Sequence, residues 1–168
     1  FLYLNRSRSC PVMSVTPKNL YGFVAVAETV TWTGLILAMI VRYGFDTYGT
    51  WFFVAGISHG TVFLAYCTVA VVVGWNQRWS AGRIGLAWLS AIPPYLTIPF
   101  DRGLTKRGLL DGSWRVEAGS DPRDQRFPDP LFRWFIARPA FLLVTLIGVL
   151  VLLLTVALQL GPPDEWGN

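Results

Sequence analysis

Three long apolar segments constrain this chain most, because each is long enough to cross a lipid bilayer as a helix. Residues 20–41 contain one charged side chain, Glu28, residues 50–74 contain one histidine, His59, and residues 139–160 contain no ionisable group. About 20 apolar residues, at 1.5 Å per residue, cover the roughly 30 Å of a hydrocarbon core. The chain is 14% charged, whereas a soluble domain carries about 25% charged residues. The pattern predicts an all-α, multi-pass membrane protein.

A shorter apolar segment, residues 84–100, predicts one more span at the low end of the length that crosses a bilayer. It contains Pro93, Pro94 and Pro99. Proline lacks a backbone N–H and clashes with the preceding helical turn, so we expect a helix to Ala91 and a kinked, non-ideal segment after it. The expected fold is therefore four transmembrane helices, composed of a three-span unit and a C-terminal span.

Polar segments divide the chain into five parts. Residues 1–19 form an N-terminal tail in which Met13 is a candidate natural start, and residues 20–106 form a three-helix membrane domain. Residues 107–138 are predicted to be a polar cytoplasmic loop with little fixed structure, whose aromatic and arginine-rich end lies along the membrane interface. Residues 139–160 are the fourth span, and residues 161–168 are an acidic tail.

The basic residues predict an orientation. With four spans, the long loop shares a side with residues 42–49, and this side holds nine Lys and Arg against at most five on the other. The positive-inside rule then places the long loop in the cytoplasm and both termini outside, in a bacterial inner membrane. The net charge of +4 indicates contact with anionic lipid headgroups and not with nucleic acid.

Glu28 and His59 are the candidate polar pair inside the membrane. Glu28 lies about 21 Å from the loop at Arg42, and His59 lies about 14 Å beyond Thr50. Helix tilt and the length of the glutamate side chain can close this offset. We expect the two side chains to satisfy each other and to fix the packing of the first two spans. A proton relay or a substrate contact is one alternative, because a histidine beside a carboxylate titrates near neutral pH. Another is that the two side chains are out of register and do not pair.

Gly56 and Gly60 are candidates for helix packing. Two small residues four positions apart let helix backbones approach closely, within one chain or across a dimer. The alternative is that the glycines leave room for the neighbouring His59 and for Trp32 or Tyr66. The first span offers Ala25, Thr29 and Thr33 as small residues one turn apart.

The proline-rich stretch that ends the third span has two interpretations. Discontinuous helices in transporters expose backbone carbonyl groups to a ligand. The simpler interpretation, which we favour, is a kinked helix end anchored at the cytoplasmic headgroups by Asp101, Arg102, Lys106 and Arg107. Four spans without internal repeats would make a poor transporter on their own.

No motif for catalysis, cofactor binding or metal binding is present. The sequence contains no nucleophile elbow or phosphate-binding loop, and its two cysteines and one histidine form no metal-ligand spacing. We therefore predict no catalytic residue, no cofactor and no enzymatic activity.

Three stretches carry a resemblance to a known family. They are Glu28 in the first span, ISHGTVFL at residues 57–64, and IPPYLTIPFDR at residues 92–102. In this order they resemble the YdzA-like small bacterial integral membrane proteins, a domain-of-unknown-function family, over residues 20–106. That family is usually a three-span unit, so the long loop and the fourth span depart from it. The resemblance implies a membrane fold without an established activity, in which Glu28, His59, Gly60, Asp101 and Arg102 belong to one shared design.

These observations lead to one expected function and one alternative. We expect a structural or accessory component of a membrane assembly, either a homo-oligomer or a subunit of a larger complex, held through the first two spans. The alternative is a small proton-coupled permease that uses Glu28 and His59.

Overall fold

The computed structural model describes residues 15–47 and 49–160, and all regular structure in these ranges is helical. The tail before residue 15, with Met13, and the tail after residue 160 lie outside the described residues. The elements in chain order are α1 (Pro17–Met39), a π-helical turn (Ile40–Gly44), α2 (Thr50–Asn76), α3 (Ala81–Ser90), α4 (Thr97–Lys106), a 3₁₀ turn (Pro122–Gln125), α5 (Asp129–Ile136) and α6 (Pro139–Leu160).

Helices α1 and α2 form the antiparallel pair predicted from the first two apolar segments. The N-terminus of α1 is capped by the side chain of Thr16, which accepts a hydrogen bond of 3.1 Å from the Asn19 amide. Pro17 follows at the first helical position, where its missing N–H costs nothing. The segments Pro17–Gly44 and Thr50–Asn76 are both long and apolar enough to cross a membrane.

The prediction that residues 84–100 form a crossing span is wrong. The segment instead folds as two short helices, α3 and α4, which start and finish at the same end of the α1/α2 pair. Trp79, just before α3, donates its indole N–H to the carbonyl of Leu109, just after α4, at 2.9 Å. Each helix has ten residues, or about 15 Å. This is half of the roughly 30 Å hydrocarbon core, so neither helix is long enough to cross it, and we call the pair the re-entrant hairpin.

The tip of the re-entrant hairpin is built around two prolines. Helix α3 ends at Ser90, one residue earlier than predicted, and Pro93 and Pro94 follow in the turn before α4. Neither proline carries an N–H that a non-helical turn at this depth would leave unsatisfied. Tyr95 has a φ of 68°, a left-handed conformation that reverses the chain and that costs a residue with a Cβ about 1–2 kcal/mol. Pro99 lies inside α4 and not in the break.

The re-entrant hairpin changes the side on which the long loop lies. The indole of Trp114 donates to the carbonyl of Val15 at 2.7 Å, and Lys18 pairs with Asp111 at 3.4 Å. The loop therefore lies beside the start of α1 and the end of α2, and not beside residues 42–49 as predicted. We call this end of the molecule the loop side. The start of α1 lies on the loop side, whereas the predicted topology placed it opposite the long loop.

The long loop is also more ordered than predicted. Asn76 at the end of α2 donates to the carbonyl of Ser113 at 3.2 Å and accepts from the amide of Arg115 at 2.9 Å. Trp114 and Leu110 are buried in the same core as the helices. The loop is therefore docked on the loop-side ends of the helices.

Helix α5 and helix α6 meet at a sharp bend. The segments Asp129–Ile136 and Ala140–Val156 differ in direction by 106°, and together they form one candidate bent span. The described residues thus contain two helices of spanning length, or three spans if this bent pair counts as one. At the bend, Arg138 lies 4.4 Å from the centre of the Trp134 ring, an arrangement typical of a membrane interface.

Candidate functional site

The most unusual feature of the fold is a cluster of buried polar side chains between α1, α2 and the re-entrant hairpin. Its centre is Glu28, which is fully buried on α1. Its Oε2 accepts a hydrogen bond of 3.1 Å from the hydroxyl of Thr97, the first residue of α4. Its Oε1 has no hydrogen-bond partner among the described residues. The indole of Trp32 is a further nearby donor. In the described part of the chain the carboxyl group has no cationic partner, and such buried groups are costly and, inside membranes, usually functional.

Two threonines link Glu28 to the start of α4. The hydroxyl groups of Thr29 and Thr97 lie 3.2 Å apart, and both approach the carbonyl of Ala25, at 3.1 and 3.2 Å. Each hydroxyl has one proton to donate. If Thr97 donates to Glu28, Thr29 can satisfy either Thr97 or Ala25, but not both. The cluster is thus short of donors, so the carboxyl group is the place where a proton can be added.

His59 does not pair with Glu28. Its Nδ1 lies 3.2 Å from the hydroxyl of Thr31, and its ring lies 4.4 Å from that of Trp32 and 6.4 Å from that of Phe63. No ion pair or hydrogen bond joins it to Glu28 within the described part of the chain. The depth argument placed the two side chains on neighbouring helices correctly, but Trp32 occupies the position next to His59. His59 is therefore a buried packing residue with one hydroxyl partner.

A separate chain of three hydroxyl groups lies close to the cluster. The hydroxyls of Tyr21 on α1 and Tyr66 on α2 lie 2.6 Å apart, and Tyr66 lies 3.1 Å from the hydroxyl of Ser90 at the end of α3. Both tyrosines are fully buried. The sequence analysis missed this chain. The available signal was Tyr66, which falls well inside its span, away from the interfaces where tyrosine is usually found. Tyr21 gave no such signal, because it lies at the start of its span.

The four predicted anchor residues divide into two groups. Asp101 faces α1, where a Cβ on Gly22 would lie 3.9 Å from its Oδ2, and its buried Oδ1 has no hydrogen-bond partner in the described ranges. It follows Thr97 by one helical turn, on the face of α4 that contacts α1. Arg102, Lys106 and Arg107 belong to the loop-side end of α4, and Lys106 and Arg107 are exposed there. An anchoring role at headgroups thus remains open for these three residues and fits Asp101 poorly.

The two predicted packing glycines do not mark a close approach within the chain. Among the described residues, a Cβ built on Gly56 or on Gly60 would meet no atom within 4 Å beyond its chain neighbours and the backbone of its own helix. The close approach occurs instead at Gly74, where a Cβ would lie 2.8 Å from Ile84 and 3.0 Å from Trp79. Gly74 allows α3 to fold back against the end of α2. The glycine pair is therefore free for contact with another molecule, an outcome that the sequence analysis included.

A second polar cluster fixes the long loop on the loop side. Asp124 and Asp129 are buried, and both accept hydrogen bonds from Arg78 and Arg115. Arg115 also donates to the carbonyls of Asn76 at 2.7 Å and Trp75 at 2.9 Å, which caps the end of α2. This ion cluster explains why a segment rich in Gly, Pro and Asp is ordered.

The ion cluster shifts the titration of its carboxylates. Burial acts to raise the pKa of Asp129, but hydrogen bonds from Trp75 and Arg115 and the charges of Arg115 and Arg78 outweigh it, so the pKa lies below its ordinary value. Hydrogen bonds from the side chain and backbone of Arg123 hold the pKa of Asp121 well below its usual range. Both groups therefore stabilise the docked loop in their ionised form.

Neither polar cluster suits a metal ion. Within the described ranges, no group of three or more His, Cys, Asp and Glu side chains could hold one. Glu28 is accompanied by hydroxyl groups and one carbonyl, and the acidic residues of the ion cluster are already neutralised by arginines. The arrangement between α1 and α4 can hold and release a proton or position a small polar group.

Comparison with known proteins gives a family and one curated relative. The family model described as "Domain of unknown function (DUF3817)" matches residues 18–106, more than half of the chain. A protein of Streptomyces coelicolor whose name describes it as a membrane protein is 32% identical over 91 residues. The match covers 54% of this chain and 11% of that relative, so the chain spans about a tenth of the length of the curated protein it matches. No solved structure matches the chain.

Proposed function

The chain belongs to the family described as Domain of unknown function (DUF3817), and we propose that it is a membrane-embedded assembly unit, which associates with a second copy or with another membrane protein. It is an integral membrane protein with two to three candidate spans. Its matched relative is about nine times longer than the aligned segment. A unit that is also part of a much longer membrane protein is suited to packing against other membrane domains.

The exposed tip of the re-entrant hairpin carries this proposal. Ile92, Tyr95 and Leu96 are 59%, 45% and 44% exposed, although the tip reaches the middle depth of α1 and α2. Non-helical backbone at membrane depth is tolerated only where protein covers it or where it lines a water-filled cavity. The exposed side chains at the tip are mostly apolar, which favours protein over water. We infer that another polypeptide covers this tip.

Gly56 and Gly60 continue the same surface. They lie on one stripe of α2 with Phe63 and Cys67, at helical spacings of three and four residues. Phe63 and Cys67 line a groove of about 890 Å³ between α2, α3 and α6, and Ile92 at the tip lines it too. We name the surface formed by Gly56, Gly60, Phe63 and Ile92 the association face. A helix from a second molecule can approach its glycine end closely.

Chemical crosslinking in native membranes, with a reagent that does not act through cysteine disulfides, tests the assembly proposal. Gly60→Leu fills the open side of the association face, so we expect crosslinked oligomer or partner adduct to fall. Gly60→Ala adds one methyl that contacts no neighbouring element in the described part of the chain, and it serves as the matched control for Gly60→Leu. Glu28→Gln leaves the face intact and should leave assembly intact. Unchanged crosslinking in Gly60→Leu and in a second variant, Ile92→Asp, would refute the proposal.

The basic residues support an orientation in which the loop side is cytoplasmic. Among the described residues, eleven Lys and Arg lie at or near the loop side, and Arg42 lies at the opposite side. The loop-side residues are Lys18, Arg78, Arg83, Arg102, Lys106, Arg107, Arg115, Arg123, Arg126, Arg133 and Arg138. The positive-inside rule favours the basic side as cytoplasmic. With α6 as a further span, the chain crosses a bacterial inner membrane three times, the start of α1 is cytoplasmic, and anionic headgroups contact the basic side.

Cysteine labelling in intact cells tests this orientation. In a variant that lacks Cys10 and Cys67, a membrane-impermeant maleimide should label Thr47→Cys and should not label Ser120→Cys until the cells are opened. The reverse pattern would place the loop side outside and refute the orientation.

A small proton-coupled permease is the second candidate function. The specific observation in its favour is Glu28, buried beside the break between two half-helices, an arrangement that transporters use at their binding sites. Glu28→Gln should then abolish a pH-dependent flux in proteoliposomes. His59→Ala should not remove the titrating group, because His59 does not contact Glu28, so a pH-dependent flux should persist in this variant. Unchanged flux in Glu28→Gln would refute this function.

Two further expectations remain proposals. The name YdzA-like describes the same kind of unit, and we propose that the two family descriptions overlap over residues 20–106. We also propose that the protein is not an enzyme and carries no cofactor. A covalent product or a bound chromophore in the purified protein would overturn this view.

A further inference from the structure

We propose that Glu28 is a proton-exchange site that communicates with the loop side of the membrane and is closed to the opposite side. This inference does not depend on the assembly proposal, since it concerns the interior of one chain. It rests on three features: the polar cluster of Glu28, Thr29 and Thr97 between α1 and α4, the nearby hydroxyl chain, and the aromatic side chains that cover Glu28.

The first observation is the donor shortage at Glu28. Among the described residues, the fully buried carboxyl group accepts one well-formed hydrogen bond, from Thr97, has the indole of Trp32 as a further nearby donor, and has one oxygen without a hydrogen-bond partner. A buried carboxylate needs a cation or further donors, and a proton on the group removes the charge at no cost in space. The position of Thr97 at the start of α4 keeps the carboxyl group in place while its proton comes and goes.

The second observation is the path between Glu28 and the loop side. Asp101 lies one turn of α4 nearer the loop side than Thr97, with a second buried, unpartnered carboxyl oxygen. Near this cluster, the hydroxyl of Tyr66 lies 2.6 Å from that of Tyr21 and 3.1 Å from that of Ser90. Hydroxyl groups both donate and accept hydrogen bonds, so such a chain can pass a proton. Asp101 and these hydroxyl groups therefore supply polar side chains between the loop-side ends of α1 and α4 and the depth of Glu28.

The third observation is the closure on the far side of Glu28. Trp32 lies one turn beyond Glu28 on α1, and its indole donates to the carbonyl of Ala91 at the end of α3 at 3.2 Å. His59 on α2 packs against Trp32, with the ring centres 4.4 Å apart. Together they join α1, α2 and the hairpin tip above the carboxyl group. This aromatic layer separates Glu28 from the side on which Arg42 lies.

The titratable groups around Glu28 are few. Those that face the site are Tyr21 on α1, Tyr66, Cys67 and His59 on α2, Asp101 on α4 and Tyr95 at the tip, with Lys18 and Arg102 near Asp101. Helix α3 contributes Ser90, which does not titrate. No basic side chain in the described ranges pairs with Glu28, so the proton itself is the natural counter-charge.

Infrared difference spectroscopy on proteoliposomes of one orientation tests the proposal directly. The full chain is reconstituted, sorted by capture through a tag on the loop side, and exposed to a rapid pH change in the outer buffer. The carboxyl C=O band of Glu28 is identified by its absence in Glu28→Gln. In the interval before the internal pH changes, we expect this band to respond if the loop side faces the outer buffer. If the opposite side faces the outer buffer, the band should stay constant in that interval. Once most of the Glu28 carboxyl groups are ionised, the protonated fraction should fall about tenfold for each further unit rise in pH.

Two variants of Trp32 make the test sharper. Trp32→Ala should open the aromatic layer, so that the Glu28 band responds to pH on both sides. Trp32→Phe keeps most of the ring and should keep the one-sided response, which controls for misfolding in the alanine variant. The proposal would be overturned by a band that never changes with pH, by a response to the opposite side alone, or by sodium ions abolishing the band at constant pH. Failure of the crosslinking experiment on Gly60 would leave these results unaffected.

Discussion

Removal of the Arg115 guanidinium should release the long loop without unfolding the membrane helices. Arg115 donates to the carbonyls of Asn76 and Trp75 and to the buried carboxylates of Asp124 and Asp129, at 2.7 to 3.3 Å. Loss of one partner from a buried ion pair costs about 3–5 kcal/mol. Arg78 still contacts both carboxylates, and the side chain of Arg115 is 21% exposed, so we lower this figure to about 2–4 kcal/mol. Each 1.4 kcal/mol is a factor of ten.

Limited trypsin digestion measures this release. The exposed Arg123 and Arg126 are the cleavage sites, and cleavage follows the open population when reclosing is fast. Arg115→Ala should therefore be cut about 30 to 1,000 times faster in the loop. Arg107→Ala, on an exposed residue outside the ion cluster, is the matched control and should change the rate little. If the two variants are cut at equal rates, the ion cluster does not hold the loop.

Three further predictions concern the helices and the pH response. Tyr66→Phe removes hydrogen bonds to Tyr21 and Ser90, and should lower the free energy of unfolding in mixed micelles by about 0.6–1.7 kcal/mol. Gly74→Leu overpacks the contact with Ile84 at 2.8 Å, and should cost about 1–3 kcal/mol in the same assay. Because the pKa values of Asp121 and Asp129 are depressed, docking of the long loop should be fully stable above the ordinary aspartate pKa of about 3.9 and should weaken as the pH falls below it. The protection of the loop from pepsin measures this effect.

Each of these three predictions has a control. Thr68→Val removes a hydroxyl that bonds only within α2 and should leave stability nearly unchanged. Gly60→Ala should be tolerated where Gly74→Leu is not, because its Cβ meets no atom. Arg115→Ala should abolish most of the pH effect, since the loop is then already released. A pH response as large in Arg115→Ala as in the parent chain would assign the effect to other groups.

The sequence alone predicted the parts of the fold that depend on length and hydropathy. The spans around Glu28 and His59 were found because about 20 apolar residues have few other uses in a protein. The same reasoning failed for residues 84–100. A segment of 17 residues is long enough to cross, but its length alone does not distinguish a crossing helix from a hairpin that turns back. Pro93 and Pro94 indicated a break, but the contact of Trp79 with Leu109, which defines the hairpin, depends on tertiary structure.

Candidate site residues were predicted by type more reliably than by partner. Glu28 was singled out correctly as an interior carboxyl group, because a charge in an apolar span is expensive wherever it points. Its partner, Thr97, lies 69 positions away on a helix whose direction was predicted wrongly. Depth along two helices fixes one coordinate and leaves rotation about each axis free. This is why His59 had nearly the right height and the wrong neighbour.

The re-entrant hairpin connects the loop, the buried carboxyl group and the association face. The ion cluster on the loop side holds the segment after α4, and the contact of Trp79 with Leu109 joins the two ends of the hairpin. The opposite end of the hairpin provides both Thr97, which holds Glu28, and Ile92, which is exposed on the association face. A partner that covers the tip would therefore contact the same short element that positions Glu28. It follows that Ile92→Asp should alter the pH response of the Glu28 band as well as assembly, whereas Gly60→Leu should alter assembly alone.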